Sequence, residues 1–344
     1  MAEPNVTVLM PVHDAASFLG EALDSVFAQT YTDFEIVLVD DGSTDRIAEV
    51  LAGYADARLR ILRRAQQGGT AAALNEGLQA ARGHYVAQMH ADDVALPDRL
   101  ARQIAFLDRN PRVGIVGGNQ QPIGPDGRPE GPTTTLPTLP GHVRWMLHVH
   151  NCVNHPTVVA RREVMERLGG YRPETVPAED YMLWVQAMQV TRIANIADVV
   201  LRYRVHARST SLLRARETET WAITAAEGAL TQLLGTPPDR NALLVLRHPF
   251  RSQRAPVADV RRAASLLWRF TGAVLERDPL EPEESAAIRR TAVEWFLQLV
   301  RATARRRPGA AAGLLAPGRA GPPRWVLEEV VANGWRRLKN LEDR

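Results

Sequence analysis

Two short runs, Val6–Val12 and residues 34–39 (Phe-Glu-Ile-Val-Leu-Val), are apolar almost throughout. That suits strands covered on both faces rather than strands with a wet side. Between them, Phe18, Leu19, Leu23, Val26 and Phe27 recur at helical spacing over residues 16–29. A buried strand, a helix and a second buried strand joined by short connections form a βαβ unit of a mainly parallel sheet, with right-handed crossovers.

The same alternation continues. Ile47, Val50 and Leu51 mark a helix that Ser43 or Thr44 would cap, followed by a strand at residues 58–62. Gly68-Gly69-Thr70 opens an Ala-rich helix through Leu74, Asn75 and Leu78, and residues 85–89 form the next strand. A helix starting at Pro97 carries Leu100, Ile104 and Leu107 and stops before Pro111; residues 113–118 then return as a strand. Residues 121–141, rich in Pro, Gly and Thr, read as a long surface connection. Residues 145–149 suit a helix, 155–160 an extended segment, 163–168 a short helix broken by Gly169-Gly170, and residues 199–205 a last strand. A helix opens at Ala178-Glu179-Asp180-Tyr181 and runs through Leu183, Trp184 and Met188. Past Ser211 only helices are expected, at 221–234, 257–275, 283–305 and 325–341. The expected division is residues 1–212, an α/β domain with a mostly parallel sheet flanked by helices, and 213–344, an all-helical region.

A chain of 344 residues has room for two domains, and a net charge of +3 does not argue for nucleic acid. Cys152 has no second cysteine to pair with, which fits a reducing compartment. Residues 1–5 carry no basic-then-apolar signal, and no uncharged apolar run approaches the ~20 residues of a membrane span. A cytoplasmic protein is expected, with residues 305–324, which hold cations and no acid, as an exposed loop or a contact with an anionic membrane face. The expected helix 325–341 permits membrane contact but fits ordinary packing better.

The chemistry gathers at strand ends, where open α/β sheets bind ligands. Asp92 and Asp93 follow the strand at 85–89, and two adjacent carboxylates there suit a divalent cation on a diphosphate. They would equally cap the helix that follows. Gly69, at a helix start, either brings a backbone N–H to a phosphate or simply turns the chain.

Several blocks resemble, in order, those of the family 2 glycosyltransferases of GT-A fold. They are Pro11-Val12-His13-Asp14, the stretch from Ser25 to Asp45 with its Asp40-Asp41-Gly42-Ser43, Ala91-Asp92-Asp93, Gly169-Gly170-Tyr171, Ala178-Glu179-Asp180-Tyr181 and Tyr203-Arg204-Val205-His206. The resemblance spans residues 5–211. It implies a Rossmann-like GT-A sheet and a nucleotide-sugar pocket lined by Pro11, Val12, Asp14, Asp40 and Asp41, with Gly69 and Asp92 beside it. It further implies Mn²⁺ or Mg²⁺ held by Asp93 and His206, Mn²⁺ being the better match for imidazole. Asp180 would be the base that activates an acceptor hydroxyl, and Glu179 its neighbour binding acceptor or orienting the site. Trp184 could stack on a sugar. The donor would be a nucleotide-diphosphate sugar, UDP-linked ahead of dTDP or GDP, and the acceptor carbohydrate, lipid-linked or protein. The C-terminal helices would serve dimerisation, acceptor contact or rest on the membrane surface. This chain departs from the family at His13-Asp14, where Tyr-Asn is common, and at His90, where many relatives carry an acid. A non-catalytic scaffold on the same fold and a sugar nucleotidyltransferase remain the alternatives; the latter is disfavoured because residues 11–20 lack Lys and Arg.

Overall fold

The computed structural model describes residues 3–209, 213–277, 279–315, 323 and 325–326. Its backbone divides into two units, one comprising the chain to Arg144 with Asn151–Ala222, the other Trp145–His150 with the chain from Ile223 onward.

The first unit is built on β1 (Val6–Val12), α1 (Ala16–Phe27), β2 (Phe34–Asp40), α2 (Ile47–Leu51), β3 (Leu59–Arg63), α3 (Thr70–Ala80), β4 (Tyr85–Gln88), β5 (Val94–Ala95) and α4 (Arg99–Arg109). It continues with β6 (Val113–Ile123), α5 (Pro140–Leu147), β7 (Val159–Arg161), α6 (Arg162–Leu168), α7 (Glu179–Ala187) and β8 (Arg192–Arg204). One eight-stranded sheet results, in the order β3-β2-β1-β4-β7-β6-β8-β5. Strands β3 to β4 are parallel, as are β6 and β8, while β7 and β5 run antiparallel to their neighbours. The mixed, mostly parallel sheet flanked by helices is the fold class that the resemblance implied.

Burial along β1 is continuous because both faces are covered. Val6, Val8, Met10 and Val12 join Leu19, Leu23 and Val26 of α1 and Leu100, Ile104 and Leu107 of α4 in one core. On the other face α3 comes close enough that a Cβ at Gly77 would lie 2.0 Å from Leu9 Cδ1. At the far edge of β1 and β2, Glu35 is buried but fully engaged: Thr7 Oγ1, the Arg82 backbone and guanidinium, and Arg60 all donate to it. These donors hold its carboxyl below the usual range although burial alone would raise it.

The elements differ from expectation where side chains beyond the local sequence take over a cap. Neither Ser43 nor Thr44 caps α2: Ser43 Oγ instead accepts the Asp14 N–H, and the Thr44 N–H donates to the Asp14 carboxylate. The cap comes from Asp45, whose Oδ1 accepts the Ile47 N–H while its Oδ2 accepts the Ala16 N–H of α1. Helix α4 begins at Arg99 rather than Pro97, because the Leu100 N–H is satisfied by Gln29 Oε1 and Asp98 turns aside to pair with Arg102. Residues 155–157 form a 3₁₀ turn rather than a strand. The last strand starts at Arg192, seven residues before the expected 199, and β5 was not anticipated. The connection at 121–141 loses its ends to β6 and α5.

The second unit is helical. α8 (Ala215–Leu234) enters it, and α9 (Arg240–Arg247), α10 (Val257–Arg277), α11 (Pro282–Ala304) and α12 (Pro308–Leu315) complete its described part. Trp145, Val149, Leu243, Leu246, Leu267, Phe270, Ile288 and Phe296 share its core. Asp239 caps α9 by accepting the Ala242 N–H, and Glu281 and Glu284 form a capping box on α11. Helices α9 and α12 were not anticipated; α12 occupies part of the segment 305–324 read as a loop. Of the helix expected at 325–341, all but Trp325 and Val326 lies outside the described residues. Among the described residues no helix is long and apolar enough to cross a membrane.

Candidate active site

The ends of β1 and β2 carry Pro11, Val12, Asp14, Asp40 and Asp41, and the structure brings all five together. Pro11 and Val12 pair in register with Val39 and Asp40, and the Asp41 N–H donates to the Val12 carbonyl. Asp14 has φ of +49°, a left-handed conformation that Asp tolerates, and this aims its carboxylate at the N–H groups of Thr44 and Asp45 (2.7 and 3.2 Å). Those bonds hold its carboxyl below the usual range. Asp40 Oδ1 accepts the Ser43 N–H at 3.0 Å, closing the turn at Gly42.

Asp41 is 3% exposed. Its two oxygens accept the N–H groups of Gly68 (2.9 Å) and Gly69 (2.8 Å), and Arg64 Nε lies 3.2 Å from the first. Its carboxylate therefore clamps the loop before α3 and already engages the Gly69 N–H. At that position the turning role wins, with φ of +90° at Gly69.

The acidic motif follows β4. Asp93 is 0% exposed; its Oδ1 accepts the Arg204 N–H at 2.8 Å, while its Oδ2 is buried without a hydrogen-bond partner. That orphan oxygen lies 3.6 Å from His90 Nδ1. Ligand atoms of His90, Asp92 and Asp93 all fall within 4.8 Å of one another, so the three could hold a divalent cation. A buried carboxylate oxygen with no donor is what such an ion would satisfy, and the residues fit it. Burial, then the charge of Asp92, pushes the Asp93 carboxyl well above its ordinary range.

His206 reaches the motif through Asp92: its Nε2 lies 3.0 Å from Asp92 Oδ2, and its ring stacks on Phe18. Asp93 and His206, expected to share an ion, have different partners here. Asp93 faces His90, and His206 faces Asp92.

Two buried arginines organise these acids. Arg204, 1% exposed, donates from Nε to the Asp92 carbonyl and from Nη1 to the carbonyls of Gly124 and Pro125, and pairs with Glu21. Arg99 donates from Nη2 to the Gln88 carbonyl at 2.6 Å, and burial lowers its own pKa to about 10.

Glu179 and Asp180 form the first turn of α7, where the helix dipole favours negative charge. Asp180 Oδ2 accepts from Asn151 Nδ2 at 2.9 Å and its Oδ1 from the Tyr181 N–H. Burial nevertheless raises it to about 6. Glu179 Oε2 is buried without a hydrogen-bond partner, and burial followed by the charge of Asp180 raises Glu179 to about 7. Trp184 is 0% exposed and donates from Nε1 to the Val153 carbonyl, so it is a core residue and not a stacking platform for sugar.

The motif and the acidic pair are linked. From Asp93 the line passes through His90 to His155 (Nε2 to Nδ1, 3.3 Å) and on to the Tyr171 hydroxyl (2.9 Å). Tyr171 feels the charges of Asp180 and Glu179, and its hydroxyl is kept protonated first by burial and then by those charges. Burial likewise keeps His155 neutral. His155, Asn151, Arg99 and Arg204 were not singled out in the sequence.

Residues 7–169 match the family model described as Glycosyl transferase family 2. An uncharacterized glycosyltransferase of Rickettsia prowazekii (strain Madrid E), RP339, is 28% identical over 221 residues, 60% of this chain and 66% of that protein. The O-antigen biosynthesis glycosyltransferase WbnJ of Escherichia coli is 29% identical over 212 residues, 60% of this chain and 81% of its own length. The chain therefore spans just under two thirds of the former. Residues 1–349 of S. aureus TarS, solved with UDP-GlcNAc, superpose with a TM-score of 0.55 at 17% identity, covering 90% of this chain and 92% of that one. At that identity the likeness is one of fold.

Proposed function

Through residues 7–169 this chain belongs to the family 2 glycosyl transferases, and on that premise we propose that it transfers a single sugar from a nucleotide-diphosphate sugar to an acceptor hydroxyl with inversion at the anomeric carbon. The observation that carries the reading is the placement, within one unit, of a candidate cation site (His90, Asp92, Asp93) and a pair of acids with raised pKa, with Tyr171, at the end of the line from His90 through His155, feeling the charges of both acids.

His90, Asp92 and Asp93 would hold Mn²⁺ or Mg²⁺, with His206 orienting Asp92; a bound cation would neutralise charge developing on the departing diphosphate. The remaining steps belong to the chain's own groups. Asp180, held by Asn151, takes the acceptor's proton as the acceptor oxygen bonds to the anomeric carbon and the bond from that carbon to the diphosphate breaks. Glu179, whose own carboxyl feels the charge of Asp180, binds the acceptor or orients the site. Asp14 and Asp40, at the ends of β1 and β2, border the nucleotide, and Asp41 acts indirectly by fixing the Gly68-Gly69 turn. A uridine donor is favoured by UDP-GlcNAc in TarS, and a polysaccharide or lipid-linked acceptor by the O-antigen role in the name of WbnJ.

A thermal-shift panel of nucleotide sugars with and without Mn²⁺ tests this. Metal-dependent stabilisation by one nucleotide, with inverted product by NMR, is expected. Formation of pyrophosphate from a sugar phosphate and a nucleoside triphosphate would overturn it.

A further inference from the structure

A neutral imidazole carries one proton, so its two nitrogens cannot both donate or both accept. His155 is 7% exposed, and both its nitrogens are engaged: Nδ1 with His90 Nε2 at 3.3 Å, Nε2 with the Tyr171 hydroxyl at 2.9 Å. The ring is also gripped from the sides, edge-on by Tyr171 and at a tilt by Trp184. The hydrogen-bonded line from Tyr171 to His90 therefore has only two polarities.

In one, the Tyr171 hydroxyl donates to His155 and His155 donates to His90, which leaves a proton on His90 Nδ1 facing Asp93. At 3.6 Å that contact is too long for a hydrogen bond, and Asp93 Oδ2 is without a donor. In the other, His90 Nε2 donates to His155 Nδ1 and His155 Nε2 donates to the Tyr171 oxygen. His90 Nδ1 then presents a lone pair beside the free Asp93 oxygen. Two ligand atoms each about 2.1 Å from one cation sit about 3–3.5 Å from each other. The observed gap is close to that edge.

We propose that His155, itself held by Tyr171, is a positioning residue that fixes His90 with Nε2 protonated and Nδ1 turned as an uncharged third ligand beside Asp92 and Asp93. The assignment rests on the proposed cation site. It explains how a histidine works where the resemblance leads one to expect an acid. A third carboxylate would add charge to two that already repel, whereas a neutral imidazole supplies a lone pair and prefers Mn²⁺ or Zn²⁺ over Mg²⁺. Such a ligand needs its second nitrogen tied down, as metal-binding histidines commonly have. Both polarities keep one proton on each ring and one on Tyr171, so no net protonation accompanies the choice.

The test is Mn²⁺ binding to the full chain with saturating UDP, followed by calorimetry, together with nitrogen-15 spectra of the histidine rings with and without Zn²⁺. His90 is assigned by the signal lost in His90→Asn. Wild type should show His90 as the Nε2–H tautomer with its Nδ1 resonance shifted by Zn²⁺. His155→Ala should weaken Mn²⁺ about 10- to 100-fold, and His155→Asn, which keeps a polar atom near the Nδ1 position, should recover part of that. Tyr171→Phe preserves the ring and guards against a folding defect; it should weaken Mn²⁺ while leaving the thermal midpoint without metal close to wild type. Mn²⁺ binding that is indifferent to all three changes, or Zn²⁺ that leaves His90 Nδ1 unmoved, would overturn the assignment while leaving the cation site standing. Wild type that binds neither metal would remove both.

Discussion

Replacing Glu179 by Gln should stabilise the protein relative to wild type more at pH 8 than at pH 5. Its carboxyl is raised from the usual 4.5 to about 7, first by burial and then by Asp180. Because the folded state prefers the neutral acid, its contribution to stability is complete below about pH 4.5 and is lost as the pH rises through about 7. A rise from 4.5 to about 7 corresponds to roughly 3 kcal/mol at most. Glu179 is partly exposed and shares its shift with Asp180, so about half, roughly 1–2 kcal/mol, should survive solvent screening. Glutamine has nearly the same shape but no ionisation, and Glu179 Oε2 has no hydrogen bond to lose. Urea titrations of wild type and Glu179→Gln at the two pH values give the double difference directly, which cancels any pH-independent packing cost. A stability gain that is the same at both values, or a larger loss at pH 8, would refute the argument that the surroundings of this acid favour its neutral form.

Three other outcomes follow from the same geometry. Transfer measured as kcat/KM should fall as the pH drops below about 6, where Asp180 takes up a proton, and Asp180→Asn should lower it by ~10²–10⁴ while nucleotide-induced thermal stabilisation persists. Asp45→Ala removes the acceptor for the first N–H groups of both α1 and α2 and should cost about 1–2 kcal/mol in denaturant titrations, with Asp45→Asn recovering part. Gly77→Ala would gain ~1 kcal/mol of helix propensity but places a methyl 2.0 Å from Leu9 Cδ1, so a net loss of about 1–2 kcal/mol is expected from the same measurement.

What could be read from the sequence was whatever repeats with a period. The buried strands and the helices on either side of them announce themselves because parallel strands are apolar on both faces. β5 is two residues long and carries no pattern, and it exists only because β8 offers it an edge. The first half of β8 has no strong apolar run, and its pairing with β6 is broken by register shifts. The acids of the candidate site were found because the blocks that hold them resemble, in order, those of a known family; position at a strand end alone left helix capping open for Asp92 and Asp93. Arg99 and Arg204 were passed over because a charged residue is ordinarily exposed, and only the fold reveals that each is buried among carbonyls. His90 looked like a lapse in an acidic motif, and His155 like one residue of an extended segment. Their pairing depends on β4 lying beside β7, which no local window contains.

The short antiparallel stitch of Val94–Ala95 onto Leu201 and Arg202 has a consequence for timing. Together with the grip of Arg204 on the Asp92 carbonyl and the Asp93 carboxylate, it anchors the acidic loop at its start and just beyond it. The two carboxylates are therefore fixed in position as the chain folds, while Asp93 Oδ2 is left without a hydrogen-bond partner for a cation to satisfy. On the proposed function, no step of a turnover goes to orienting these two acids.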